Sequence, residues 1–272
     1  MPDRCLYESD VLAVSEFDCP LDDAAWSSTN RITLEAPLVV FPRVPVVITR
    51  PGGSAVLATP NVAMLYRPGA LYDREARHPR GDSCLYVELR DPSLYDDLPR
   101  ATHLPTGATA YLRQHLLGRY LRDGDVDPLV VESVVLGIVG DVAAAPQPPR
   151  PRRHTTAEAH ERLVADAQEL IAATVAERLT VHAIARRLGT SPFHLVRVFR
   201  GRTGFGIHEY RNELRLRLAL ERLHEQAGDL ARLGLELGFT SHSHFTDAFR
   251  RRFGVPPSAV ARRHAGELLS AA

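Results

Sequence analysis

The chain has 272 residues, 33 basic against 33 acidic side chains, and 44% hydrophobic residues. This length allows one large domain or two ordinary ones, and the apolar share is that of a core-forming globular chain, which excludes a disordered or fibrous one. No apolar run approaches the roughly 20 residues that cross a bilayer, so a helical membrane protein is excluded as well. The opening MPDRCLYESD lacks a basic stretch followed by an apolar one, so no secretory signal is expected. Cys5, Cys19 and Cys84 are odd in number, far apart and without a CxxC. They read as reduced thiols of a cytoplasmic protein, with a redox role for Cys5 or Cys19 as the alternative. The zero net charge hides a split. Residues 1–149 hold 13 Arg against 20 acidic residues, and residues 150–272 hold 20 Arg against 13. Only the second half suits a polyanion. There is no Lys anywhere. That fits a GC-rich coding bias, so Arg richness alone does not argue for DNA.

In chain order, the first half alternates short apolar stretches with Pro and Gly: LVVF (38–41), VPVVITR (44–50), SAVLA (54–58), NVAMLYRPG (61–69) and CLYVELR (84–90). β-Branched residues bounded by turn formers predict strands of a small sheet or barrel. TGATAYLRQHLLGRYLRDG then places Ala108, Leu112, Leu116 and Tyr120 four apart, on one helical face. VDPLVVESVVLGIVGDVAAA is apolar nearly all round, so it is expected to be buried in its own core or against a second copy. Its Val content permits a strand, while its length favours a helix. PQPPRPRR (146–153) is the clearest linker, because repeated Pro prevents helix, and it falls where the charge balance changes sign.

Downstream everything reads helical. TTAEAHERLVADAQELIAAT carries Leu163, Ala167, Leu170 and Ile171 on one stripe. Thr180 can cap VHAIARRLG, and Ser191 followed by Pro192 starts another helix. GIHEYRNELRLRLALERLHEQ (206–226) predicts a rod of roughly 30 Å with Tyr210, Leu214, Leu218 and Leu223 inward. Asp229 caps LARLGLELGF, Ser241 caps HSHFTDAFRRRFG, and Pro256–Pro257 end that unit and can open a last helix over SAVARRHAGELL.

The C-terminal part repeats itself at an offset of 50. SPFHLVRVFRGRTG from 191 stands above SHSHFTDAFRRRFG from 241, with residues 191, 194, 199, 200, 202 and 204 identical to their counterparts. Each copy follows a short apolar segment and a Gly-containing turn, the pattern of a helix-turn-helix. Leu195, Phe199, Phe245, Phe249 and Phe253 mark the buried faces, and these rings read as core rather than stacking platforms. The candidate DNA contacts are therefore Ser191, Pro192, Phe193, His194, Arg197 and Arg200 in the first copy. In the second they are Ser241, His242, Ser243, Thr246, Asp247, Arg250 and Arg251. A helix in the major groove presents its N-terminal side chains to base edges, where Arg grips guanine and Ser, Thr or His contact more permissively. Ser191 and Ser241, at helix starts with exposed N–H groups, suit phosphate. Arg200, Arg202, Arg250, Arg251 and Arg252 lie toward the helix ends, where backbone contact is expected. A rod of that length matches the ~34 Å turn of DNA, which would set both reading helices on one face of the duplex.

Three other readings of these features are weaker. Solenoids need three or more copies. His242 and His244 lack neighbouring metal ligands. A metal-dependent barrel enzyme needs converging His and carboxylate, and only His78 and His103 lie near the strands. No metal, cofactor or catalytic residue is assigned.

Residues 160–263 resemble the DNA-binding domain of the AraC/XylS family of bacterial transcription regulators. The first half matches as A-x-x-L-G-x-S (185–191), L-x-R-x-F-R (195–200), Gly204, Tyr210, Arg215, Leu216 and Ala219. The second matches as L-G-F-x-S (237–241), H-F (244–245), F-R-R-R-F-G (249–254) and P-S (257–258). Three departures from the family pattern stand out. Asp247 stands where a basic residue is usual. Val260 and Ala261 stand where Tyr and Arg are usual. Gly234 stands where Ala is usual, a change expected to cost about 1 kcal/mol.

Residues 1–145 resemble, more loosely, the cupin-like sensing domain with trailing helices of such regulators. The expected fold is thus α+β: a small cupin-like β-barrel with trailing helices over 1–145, a linker over 146–154, and an all-α domain of about seven helices over 155–272. Within the last, the expected boundaries are about 180–201 for the first helix-turn-helix, about 206–226 for the linker helix and about 229–252 for the second helix-turn-helix. The resemblance implies a small-molecule effector, a homodimer, double-stranded operator DNA, RNA polymerase as a partner and activation as the commoner role. Arg50, Tyr66, Tyr72, Arg74, His78 and Tyr86 are the candidate effector contacts. The alternatives are a cupin-fold enzyme with an appended helical domain, a DNA-binding protein without sequence preference, and a sensing domain that only dimerises.

Overall fold

The structure, a computed structural model, describes residues 3–95, 98–124, 126–145, 154–262 and 264–271. The linker expected over 146–154 lies almost wholly outside them. Among the described residues the first half forms ten strands: β1 (Arg4–Glu8), β2 (Leu12–Cys19), β3 (Asn30–Arg31), β4 (Leu38–Pro42), β5 (Val46–Thr49), β6 (Val56–Ala58), β7 (Val62–Tyr66), β8 (Leu71–Ala76), β9 (Asp82–Leu89) and β10 (His103–Pro105). They make two sheets, one in the order β1-β2-β9-β4-β7-β10 and one in the order β3-β8-β5-β6. The expected barrel is therefore not closed among the described strands. Helices α1 (Ala108–Asp123) and α2 (Pro128–Ala143) follow, so the Val-rich segment is helical.

Strands β4, β7 and β9 of the larger sheet are covered on both faces, which is why they read as largely apolar runs. Alternate residues divide between two cores. Val39, Phe41, Leu65, Leu85 and Val87 face the helices. Leu38, Met64, Tyr66, Cys84 and Tyr86 face the smaller sheet. Strand β8 escaped the sequence reading because Arg74 occupies an inward position. Its guanidinium pairs with Asp82 at 3.0 Å and lies over the rings of Phe17 and Trp26.

Eight helices follow among the described residues: α3 (His154–Ala173), α4 (Val181–Arg187), α5 (Pro192–Thr203), α6 (Ile207–Arg222), α7 (Leu230–Glu236), α8 (His242–Phe253), α9 (Pro257–Arg262) and α10 (Ala265–Ala271). The last expected helix is thus two short ones. The linker helix α6 has 16 residues, about 24 Å rather than 30 Å, because the chain leaves it at the C-cap Leu223.

These helices do not form one independent core. Helix α3, α4, α5 and the start of α6 enclose Ile171, Ile184, Leu195, Phe199 and Tyr210. The rest of α6 with α7–α10 shares a core with α1: Tyr111, Leu112 and Leu116 pack with Leu220, Leu233, Phe245 and Phe249. The opposite side of α1 (Ala110, Leu117, Leu121) packs on the large sheet. Ala108, Leu112 and Leu116 of the stripe thus meet the second helix-turn-helix rather than the sheet, and Tyr120 packs against both cores.

Helix α6 is fastened to the first half by buried polar groups. Arg217, 1% exposed, donates to the carbonyls of Pro60 and Thr106 and lies 5.0 Å from the Tyr111 ring. Glu221 accepts from the Tyr111 hydroxyl at 2.8 Å, meets His115 Nδ1 at 3.2 Å and lies 3.5 Å from Arg43 Nε. Burial alone raises the Glu221 pKa, but His115, Arg43 and the Tyr111 hydroxyl outweigh it and hold it at about 2, from an ordinary 4.5. A depressed carboxyl stabilises the fold above its unfolded pKa and loses that contribution as pH falls through the folded value. We therefore expect wild-type stability to fall between about pH 4.5 and 2. Glu221→Gln should flatten that limb and cost about 3 kcal/mol at neutral pH. Acid-unfolding curves of the same slope for both proteins would show that Glu221 does not fasten the seam.

Candidate nucleic-acid interface

Both helix-turn-helix units are built from the same local devices. Thr180 and Asp229 cap α4 and α7 by accepting from the N–H of Ala183 and Arg232. The turns close through Thr190 N–H to Ala185 O and Phe239 N–H to Gly234 O, each at 3.0 Å. Gly189 (φ +64°) and Gly238 (φ +82°) supply the left-handed residue each turn requires. At Gly238 the constraint is also spatial, since a Cβ would lie 2.3 Å from the Ala176 carbonyl. The reading helices start at Ser191 and Ser241, whose hydroxyls accept from the N–H of His194 at 3.2 Å and of His244 at 3.1 Å. Each hydroxyl keeps its own proton to donate, which a phosphate oxygen can accept.

The outer face of α5 exposes Phe193, at 89%, Val196, Arg197 and Arg200, while Pro192 and His194 are half-buried. His194 packs edge-on to the His160 ring and accepts from Arg197 Nη2 at 3.3 Å. The outer face of α8 exposes His242, Ser243, Asp247, Arg250 and Arg251. Thr246 is half-buried and its hydroxyl oxygen is shielded without a partner, so the expected contact through that hydroxyl is not presented. Arg202 and Arg252, expected near the DNA backbone, turn inward instead. Arg202 pairs with Glu161 on α3 at 3.6 Å, and Arg252 Nε lies 2.5 Å from Glu213 on α6. This pair of identities in the repeat therefore reports how each reading helix is held.

The candidate effector residues do not converge. Tyr66 and Tyr72 stack at 5.0 Å between the sheets, Tyr86 is core, and Arg74 is held by Asp82. His78 sits in the β8–β9 turn, accepting from Arg80 N–H. Arg50 reaches a cavity of about 400 Å³ between strands of both sheets and α3, α5 and α6. Its guanidinium lies 4.6 Å from the Tyr66 ring and donates to the Leu65 carbonyl, while its Nε is buried without a partner. Across the cavity Asn61 donates to the Tyr210 carbonyl at 3.3 Å, leaving its own carbonyl oxygen buried and unpaired. Burial, and then Arg50, lower the His103 pKa on the same wall. Nothing local in the sequence signals this cavity, because its walls come from two separate stretches, residues 48–105 and residues 161–210.

Two capped reading helices with basic outer faces define a double helix-turn-helix DNA reader. A family described as a helix-turn-helix domain matches residues 184–263. The chain is 36% identical over 126 residues to the HTH-type transcriptional regulator GlxA of Rhizobium meliloti, covering 44% of this chain and 38% of that protein. It is 32% identical over 82 residues to the probable transcription factor PqrA of Proteus vulgaris, covering 30% of this chain and 67% of that protein. A solved transcriptional regulator with an AraC-type DNA-binding domain, from Chromobacterium violaceum, is 29% identical with a TM-score of 0.37, covering 40% of this chain and 96% of that one. The chain belongs to the AraC/XylS family of DNA-binding transcription regulators. The likeness to GlxA spans well under half of that protein's length. Among the described residues no helix is long and apolar enough to cross a membrane.

Gly234, the family departure expected to cost stability, has a packing reason. A Cβ there would lie 2.9 Å from Phe245 Cβ and 3.0 Å from its Cγ. In the first copy Ala185 shares a core with the smaller Leu195, and in the second Gly234 lies against Phe245. Gly234→Ala should therefore destabilise, by about 1–3 kcal/mol, instead of gaining the usual helix-propensity benefit. A raised melting temperature for this variant would contradict the packing argument.

Proposed function

We propose that this protein is a sequence-specific transcription regulator that reads two adjacent major-groove segments, α5 in one and α8 in the other. The reading rests on one observation above all: the same Ser-capped helix occurs twice, with an apolar face buried and arginines outward. It works in the cytoplasm, carries out no catalysis, and activates by recruiting RNA polymerase. Two copies form a homodimer that spans paired half-sites. The outer face of α2 suits that contact, since Leu129 and Leu136 are 74% and 48% exposed there. A small-molecule effector occupies the cavity beside Arg50, touching both the sheet domain and the first helix-turn-helix.

The test uses the full chain, because the core shared between α1 and the second helix-turn-helix would be opened by removing the first half. Selection from a random duplex pool should recover two short motifs about one helical turn apart. Arg197→Ala should relax preference at one base pair at a cost of about 1–3 kcal/mol, whereas Arg251→Ala should weaken all sequences alike and reduce the salt slope by about one. Recovery of no motif, with binding that vanishes in moderate salt, would mean a protein that binds DNA without reading it.

A further inference from the structure

The 50-residue repeat places opposite charges at one position of the two reading helices. Arg197 and Asp247 each stand six residues beyond the serine that caps their helix, and both caps make the same hydrogen bond three residues on. Both side chains are exposed, on helices whose other side buries Leu195 and Phe199 in one case and Phe245 and Phe249 in the other. Asp247 makes no hydrogen bond or ion pair among the described residues, although Arg250 and Arg251 follow at the spacing that permits one. Its carboxylate is thus free on a face shared with His242, Ser243, Arg250 and Arg251.

We infer that Asp247 is a specificity-determining residue that makes the second helix-turn-helix a cytosine reader where Arg197 makes the first a guanine reader. The inference rests on the DNA-reading function proposed above. The chemistry of the groove carries it. Arg offers paired donors to guanine O6 and N7, whereas a carboxylate only accepts, and cytosine N4 is the donor it pairs with in the major groove. An unpaired carboxylate brought beside phosphates is repelled unless a base donor meets it; guanine and thymine present only acceptors there, and adenine sets its N7 acceptor beside its N6 donor, so the cost of every base but cytosine is raised. The two operator elements are therefore not copies of one another, despite the repeat in the protein. They differ at the position under Arg197 and Asp247.

Selection from a random duplex pool with the full chain, wild type beside Asp247→Asn, tests this. Asn pairs with adenine N6 and N7, so the variant should change one position of the second element from C to A and leave the first element as it was. Measured on the two duplexes, the preference for C over A should be about ten-fold or more in the wild type and reversed in the variant. A variant that binds all duplexes more tightly with the wild-type motif unchanged would overturn the inference and make Asp247 a simple repulsive charge. A first-element motif accompanied by a second element indifferent to the substitution would overturn it as well, while leaving DNA reading intact. Absence of any motif from both proteins would overturn the DNA-reading function and this inference with it.

Discussion

Helix α1 is apolar on two sides, and the arrangement of everything after it follows from that. One side covers the large sheet; the other completes the core of the second helix-turn-helix, with Tyr111, Leu112 and Leu116 against Leu220, Phe245 and Phe249. A helix committed to both neighbours cannot leave either without exposing several large side chains, at about 1.5–3 kcal/mol each. The polar groups along α6 add direction to this attachment. Arg217 needs the carbonyls of Pro60 and Thr106, and Glu221 needs Tyr111, His115 and Arg43. Misplacing α6 would leave these charges buried without partners, a larger penalty than the net worth of the contacts themselves.

The two helix-turn-helix units share their local grammar but are held differently. The first has its own core with α3, and it meets the sheet domain largely through polar contacts: Ser54 with Glu161, Arg77 with Glu169, and Thr59 and Asn61 with Tyr210. The second has no core separate from α1. Packing within the units differs accordingly. A Phe at 245 in place of the Leu at 195 fills more of the second core and leaves no room for a methyl at 234. The inward turns of Arg202 to α3 and Arg252 to α6 follow the same division.

What the sequence revealed was local. The caps at Thr180, Ser191, Asp229 and Ser241 could be read because a cap and its partner lie three residues apart, and the turn glycines because left-handed backbone selects them. The buried face of each reading helix follows from four-residue spacing, Leu195 with Phe199 in the first and Phe245, Phe249 and Phe253 in the second. What escaped were features whose partners lie far along the chain. Arg217 reads as one more exposed arginine of a charged helix until Pro60 and Thr106 are set beside it. Glu16 in β2 and Arg74 in β8 made those strands look too polar to be interior; Arg43 and Arg122 meet the first, and Asp82 meets the second. The effector candidates are aromatic and basic residues near strands, and the same chemistry serves an inter-sheet core; Arg50 is the candidate that lines the cavity beside α3.

That cavity gains its meaning from the unequal anchoring of the two units. Its walls are the sheet on one side and α3 with the α5–α6 junction on the other, all on the side of the first helix-turn-helix. An occupant shifts an equilibrium only by the difference in its affinity for the two states. Here that difference can arise in the docking of the first unit, since the second is fixed through α1 whether or not the cavity is filled. The unpaired Arg50 Nε and Asn61 carbonyl oxygen are the groups an occupant would satisfy, and Asn61 is already tied to Tyr210 at the start of α6. On the proposed reading, the effector acts by setting the distance and angle of α5 relative to a stationary α8. Regulation then changes whether the two reading helices fit successive grooves together, while leaving the base preference of each untouched.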